Sequence, residues 1–255
     1  MFADGQPHFA AHNECFGGKG VNVGADDSER RPVARQYFIK ALRFQVGFEL
    51  LKIVVHRALR NVFPGPTFYN LTMLKHICVF CGSSSGVHSV YAQAAQGVGR
   101  LLCRRGIELV YGGGNVGLMG MLADACLAEG GRVIGVIPQA LVDKEVAHLG
   151  LTELRVVRSM HERKAIMADL SDAFVALPGG YGTWEELFEM LTWSQLGIQQ
   201  KPCGLLNVNG YYDPLLELAD KAVSEGFLRE ANRDLLLSDV DPERLLDRLS
   251  AYAFT

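Results

Sequence analysis

From residue 73 onward, short apolar runs alternate with segments whose apolar residues recur at helical spacing. His76–Cys81, Ile107–Tyr111, Val133–Ile137, Leu154–Val157, Phe174–Leu177 and Gly204–Val208 read as strands. Ser89–Arg105, Leu118–Leu127 and the segments opening near Ser159, Thr183 and Tyr212 read as helices. Ser159–Glu162 and Thr183–Glu186 both fit a capping box, with the Ser or Thr as N-cap and the Glu reaching back. Asp213-Pro214 and Asp241-Pro242 fit N-cap and N1 pairs for the last helices. Short apolar strands alternating with helices predict an α/β fold: a Rossmann-like, doubly wound parallel sheet with helices on both faces. In such sheets ligands bind beyond the carboxyl ends of the strands. Three glycine-containing turns, Gly82–Ser85, Gly112–Asn115 and Gly179–Thr183, fall on that edge.

Residues 1–72 break the alternation. They carry six acids and nine bases, and the early part is rich in Gly, Asp and Arg without periodicity, so it reads as a disordered or loosely ordered extension. Tyr37–Phe63 spaces apolar residues at near-helical intervals among bases, the pattern of a basic amphipathic helix. Met73 directly precedes the first strand, so translation starting there is the simplest account of the extension. Residues 73–255 then form one domain.

Composition narrows the function further. With 255 residues, 49% of them hydrophobic, the chain can bury one substantial core. A net charge of −3 supplies no basic field for nucleic acid, and no apolar run is long enough to span a bilayer. The six cysteines sit mostly in apolar segments, as core thiols of a cytoplasmic protein do. Cys78-x-x-Cys81 lies in a strand and has no second pair to complete a zinc ribbon.

The chemistry concentrates in the glycine turns. Pro178-Gly179-Gly180-Tyr181-Gly182-Thr183-Trp184-Glu185-Glu186 follows a buried strand and opens a helix. Glycines let backbone N–H groups come close to a ligand, and a helix N-terminus adds unpaired donors and a positive dipole end, which together suit phosphate. Glu186 then sets a carboxylate beside that cradle. Upstream, Gly112, Gly114 and Gly117 satisfy G-x-G-x-x-G, but the next strand ends in Pro138-Gln139 rather than in an acid for a ribose, which argues against a dinucleotide. Arg163 and Lys164 stand in the early turns of a helix, where the dipole disfavours cations; a solvated surface pair is one reading, an anion site the other.

The motifs PGGYGTWEE (Pro178–Glu186), MHERK (Met160–Lys164) and GGGNVGLMG (Gly112–Gly120), in that combination, resemble the Lonely Guy (LOG) family, cytokinin riboside 5′-monophosphate phosphoribohydrolases often mislabelled lysine decarboxylases. The resemblance implies hydrolysis of the N-glycosidic bond of an N6-modified adenosine monophosphate, with no cofactor or metal, by a homodimer. It assigns Arg163 and Glu186 to catalysis. Substrate contacts fall to Glu145, Lys164, Gly179, Gly180, Tyr181, Gly182, Thr183, Trp184, Glu185 and Thr192, together with Gly112, Gly113 and Gly114. A general purine (AMP) nucleosidase would keep the same chemistry with another base pocket. A non-catalytic nucleotide-binding module would keep the glycines without needing Arg163 and Glu186.

Overall fold

The computed structural model describes residues 74–144 and 146–254. Expectations for the extension, and for Glu145, lie outside the described residues.

Seven strands form one parallel sheet in the order β4-β3-β2-β1-β5-β6-β7: β1 His76–Phe80, β2 Glu108–Tyr111, β3 Val133–Pro138, β4 Glu153–Val157, β5 Ala173–Ala176, β6 Cys203–Leu206 and β7 Leu236–Asp239. The intervening helices are α1 Ser89–Arg104, α2 Gly117–Ala128, α3 Gln139–Val142, α4 Met160–Leu170, α5 Tyr181–Gln195, α6 Asp213–Ser224, α7 Glu230–Arg233 and α8 Pro242–Ser250. Alternate strand residues feed two apolar layers. Ile77, Val79, Leu109 and Val175 pack with Leu102 of α1, Leu122 of α2 and Leu245 of α8. Cys78, Phe80, Val110 and Phe174 pack with Met167 of α4, Leu187 of α5 and Tyr212. The doubly wound reading therefore holds, with helices on both faces.

Winding runs outward from β1 to β4, then crosses back to β5 beside β1. The order thus reverses between β1 and β5, which places the ligand crevice of such a sheet beyond the carboxyl ends of these two strands. The turns that follow them are tied together: Gly82 N–H donates to the Pro178 carbonyl at 3.1 Å, and Leu118 N–H donates to the Gly82 carbonyl at 3.0 Å. Gly117 has φ +55°, and a Cβ there would lie 2.3 Å from the Ser83 carbonyl carbon. Only glycine lets α2 start so close to the first turn.

Local expectations fared unevenly. Ser159 caps α4, accepting from Glu162 N–H at 3.1 Å, although Glu162 reaches back to Arg158 N–H instead of Ser159. Asp241 caps α8 through Arg244 N–H at 2.9 Å. Asp213 does not cap; it is already inside α6 and accepts from Asn207 Nδ2 at 2.7 Å. Thr183 is not an N-cap either, because α5 begins two residues earlier, behind Gly180. Thr183 therefore falls inside the first turn, where it is buried. The edge strand β7 was not read from the sequence. It is only four residues long, three of its side chains are half-exposed, and its second half, Ser238-Asp239, is polar, so no apolar run marks it.

Candidate active site

Helix α4 presents Arg163 and Lys164 to the interior rather than to water, with 7% and 9% of their surfaces exposed. The reading as a solvated pair fails, and the reason is the facing helix: α5 lines up Glu185, Glu186 and Glu189 against them. Arg163 Nη1 donates to Glu186 Oε1 at 2.7 Å, and Arg163 Nε donates to the Val136 carbonyl at 3.0 Å. Lys164 Nζ contacts Glu185 Oε1, and Glu189 Oε2 at 2.9 Å. Burying cations at a helix N-terminus is costly, and these carboxylates offset that cost.

Gly112 completes the guanidinium's surroundings. A Cβ at this position would stand 2.0 Å from Arg163 Nη2, so the first glycine of the G-x-G-x-x-G run makes room for a protein side chain. Gly113 takes φ +73°, and a Cβ on Gly114 would meet Met119 Cε at 2.9 Å. These glycines serve packing and a tight turn around Arg163, which explains why the pattern occurs without an acid at the end of β3. Residues 146–148 brace the same turn: Asn115 N–H donates to the Val146 carbonyl at 2.7 Å, and His148 N–H donates to the Gly113 carbonyl at 2.9 Å.

Burial pushes the Glu186 carboxyl above its usual range, as does the nearby charge of Glu185, against the opposing pull of Arg163 and Lys164. For Lys164, burial acts to lower the pKa, but hydrogen bonds and charge from Glu185 and Glu189 outweigh it and hold the ammonium above its usual value.

At the head of α5, Gly179 is forced by proximity: a Cβ would lie 2.1 Å from Thr183 Oγ1 and 2.8 Å from Gly82 N. A Cβ at Gly180 or Gly182 would meet no protein atom, so internal packing does not require glycine at either position. A cavity of about 310 Å³ opens here between Gly82–Gly86 and Pro178–Gly180, with Tyr91, Leu118 and Tyr211 in its wall.

The structure thus gathers Arg163, Lys164, Glu185, Glu186 and Gly112 into one cluster, with Gly179, Gly180 and Thr183 at the mouth of the same helix. Tyr181 is 86% exposed and meets Trp184 edge to face, with ring centroids 5.4 Å apart. Thr192 stands apart: it is exposed nearly three turns along α5, its hydroxyl donating to the Phe188 carbonyl at 2.7 Å. Sequence reasoning missed Glu189, which only the facing of α4 and α5 reveals. It also missed Tyr91 and Tyr211, which belong to no motif.

Residues 119–249 match a family model described as possible lysine decarboxylase. A probable cytokinin riboside 5′-monophosphate phosphoribohydrolase from Oryza sativa subsp. japonica is 56% identical over 176 residues, covering 69% of this chain and 79% of the relative. A cytokinin riboside 5′-monophosphate phosphoribohydrolase from Arabidopsis thaliana is 52% identical over 179 residues, covering 70% of this chain and 83% of the relative. The chain belongs to the LOG family. Its fold also resembles two solved structures. One is a molybdenum cofactor binding protein from Rippkaea orientalis (TM-score 0.51, 22% identity, 66% of this chain and 91% of that one). The other is a molybdenum cofactor carrier protein from Chlamydomonas reinhardtii (TM-score 0.52, 22% identity, 68% and 93%). Identity this low supports the sheet architecture alone. The decarboxylase label of the family model finds no support at Lys164. A Schiff-base lysine must reach the neutral amine, and two carboxylates hold this one protonated. Among the described residues no helix of this LOG protein is long and apolar enough to cross a membrane.

Proposed function

We propose that this chain hydrolyses the N-glycosidic bond of a cytokinin riboside 5′-monophosphate, giving the free base and ribose 5-phosphate. The observation that carries the reading is the buried Arg163–Glu186 pair beside a glycine-built helix N-terminus. An anion cradle beside a buried carboxylate suits a substrate that carries a phosphate and develops a cation in the reaction. The C1′–N bond breaks with its electron pair leaving on the base, so positive charge develops on the ribosyl C1′. Glu186 stabilises that charge and takes a proton from the attacking water, whose oxygen bonds to C1′ while the departing base gains a proton. Arg163 opposes the burial that raises the Glu186 carboxyl and fixes its direction. The N–H groups of Gly179 to Thr183 receive the 5′-phosphate. The high identity to phosphoribohydrolases from two plants supports a modified adenine as the base.

A panel of adenosine, guanosine and N6-isopentenyladenosine monophosphates, scored for free base, tests this substrate class. Isopentenyladenine is expected to be released fastest. Equal release of adenine would make the protein a general purine nucleosidase.

The active form is a cytoplasmic homodimer in this reading. Trp184, Phe188, Tyr212, Pro214, Leu215 and Leu218 line an apolar depression of about 520 Å³ along α5 and α6, and Phe188 and Leu218 are 45% and 64% exposed. A second copy covers that face without exposing new apolar surface. Light scattering should return twice the chain mass, and a monomer at micromolar concentration would contradict the dimer.

A further inference from the structure

The turn that precedes α6 holds two consecutive tyrosines whose hydroxyls reach back to the PGG turn. Tyr211 Oη donates to the Gly179 carbonyl, and Tyr212 Oη donates to the Leu177 carbonyl at 2.7 Å. The connection is built to deliver them. Asn209 and Gly210 both take left-handed backbone, at φ +54° and +69°. Such a conformation suits only Gly and, less well, Asn or Asp. Asn207 then anchors the far side, accepting from Tyr212 N–H at 2.8 Å and donating to Asp213 Oδ1 at 2.7 Å.

The consequence lies in peptide geometry. A trans peptide points its N–H opposite to its own carbonyl. The Pro178 carbonyl is held by Gly82 N–H, which turns the Gly179 N–H the other way. The Gly179 carbonyl is held by Tyr211, which does the same for the Gly180 N–H. Among the described residues, neither of these two N–H groups has a protein acceptor. Both glycines, and Tyr211 itself, border the cavity between the first and third glycine turns. Tyr91 ties the remaining wall to Tyr211, meeting its ring edge to face with centroids 6.0 Å apart, while a Cβ on Gly86 would stand 2.7 Å from the Tyr91 ring.

We propose that Tyr211 is a positioning residue for the phosphate subsite, its hydroxyl holding the Gly179–Gly180 peptide with the N–H turned toward a 5′-phosphate. The proposal rests on the phosphoribohydrolase reading for the identity of the anion. Without that hydroxyl the peptide plane is free to rotate, and its carbonyl dipole then opposes the phosphate. Tyr212 acts differently. Its acceptor peptide leads into Pro178, which has no N–H to orient, so the Tyr212 bond holds the strand end and not the anion.

Tyr211→Phe keeps the ring packing and removes only the donor. Calorimetric titration with ribose 5-phosphate should show about tenfold weaker binding, the size of one hydrogen bond. The fall in kcat/KM should be several-fold larger for the monophosphate than for the matching riboside. Tyr212→Phe is the control: a lower Tm, with the ratio between the two substrates unchanged. Ribose 5-phosphate binding by Tyr211→Phe within about twofold of wild type, or equal losses on both substrates, would overturn the positioning role. Wild-type protein that binds ribose 5-phosphate but releases no base would end the hydrolase reading. The calorimetric comparison would still decide for or against Tyr211. Wild-type protein that binds no ribose 5-phosphate would overturn the positioning role as well.

Discussion

Glu186→Gln is expected to lower kcat by about 100-fold or more, because the neutral amide cannot stabilise a ribosyl cation or accept a proton from water. Sequence reasoning makes this a change without a stability cost, since glutamine can complete a capping box. The structure changes that expectation: Glu186 has no capping role, lies 8% exposed, and is the counter-charge of an equally buried Arg163. Removing one partner of a buried pair typically costs about 3–5 kcal/mol. Glutamine retains an acceptor for Nη1, so the cost should fall at or below the lower end, and melting should shift down by roughly 6–12 °C at most. The acid limb of the wild-type kcat/KM profile should also lie above the ordinary glutamate range, because the free-enzyme carboxyl is held high by burial. That limb should be lost in the variant. Near-normal turnover with a lowered Tm would reduce Glu186 to a structural anchor.

Removing the 5′-phosphate from the substrate should cost still more. Charge-assisted hydrogen bonds contribute roughly 1.5–3 kcal/mol each, so losing several at the head of α5 amounts to orders of magnitude in kcat/KM. Arg163→Lys probes the same site from the protein side. The guanidinium uses Nε on the Val136 carbonyl, Nη1 on Glu186 and Nη2 against Gly112, three directions fixed by one plane. An ammonium keeps the charge but cannot satisfy Val136 and Glu186 from those positions. Turnover of the monophosphate should fall about tenfold or more, although the substitution conserves charge. Wild-type efficiency on riboside and monophosphate that proved equal would remove the phosphate from the account.

The sequence made six strands legible because each carries a run of apolar residues, unbroken in the inner strands β3, β5 and β6, where burial on both faces requires it, and interrupted by Arg155 in the partly exposed edge strand β4. The seventh, Leu236–Asp239, is a half-exposed edge and carries no such signal. The site residues were legible as motifs, but their partnerships were not. Arg163 and Lys164 looked like candidates for a solvated surface because the sequence does not show that α5 turns three glutamates toward α4. Thr183 looked like a cap because T-x-x-E fits one, whereas α5 starts at Tyr181 behind Gly180 and leaves Thr183 inside the first turn. Gly112 looked like a phosphate glycine, yet the atom nearest to a Cβ there is Arg163 Nη2. Tyr211 gave no signal because its role depends on a hydroxyl 32 residues away from its acceptor.

The central claim concerns which bond is cut. The direct measurement is the product balance from N6-isopentenyladenosine monophosphate incubated with the full chain. Ribose 5-phosphate and isopentenyladenine released in equal amounts, with no riboside and no inorganic phosphate, is the predicted result. Inorganic phosphate and intact riboside would show cleavage of the phosphoester instead, and would contradict the role given to Arg163 and Glu186.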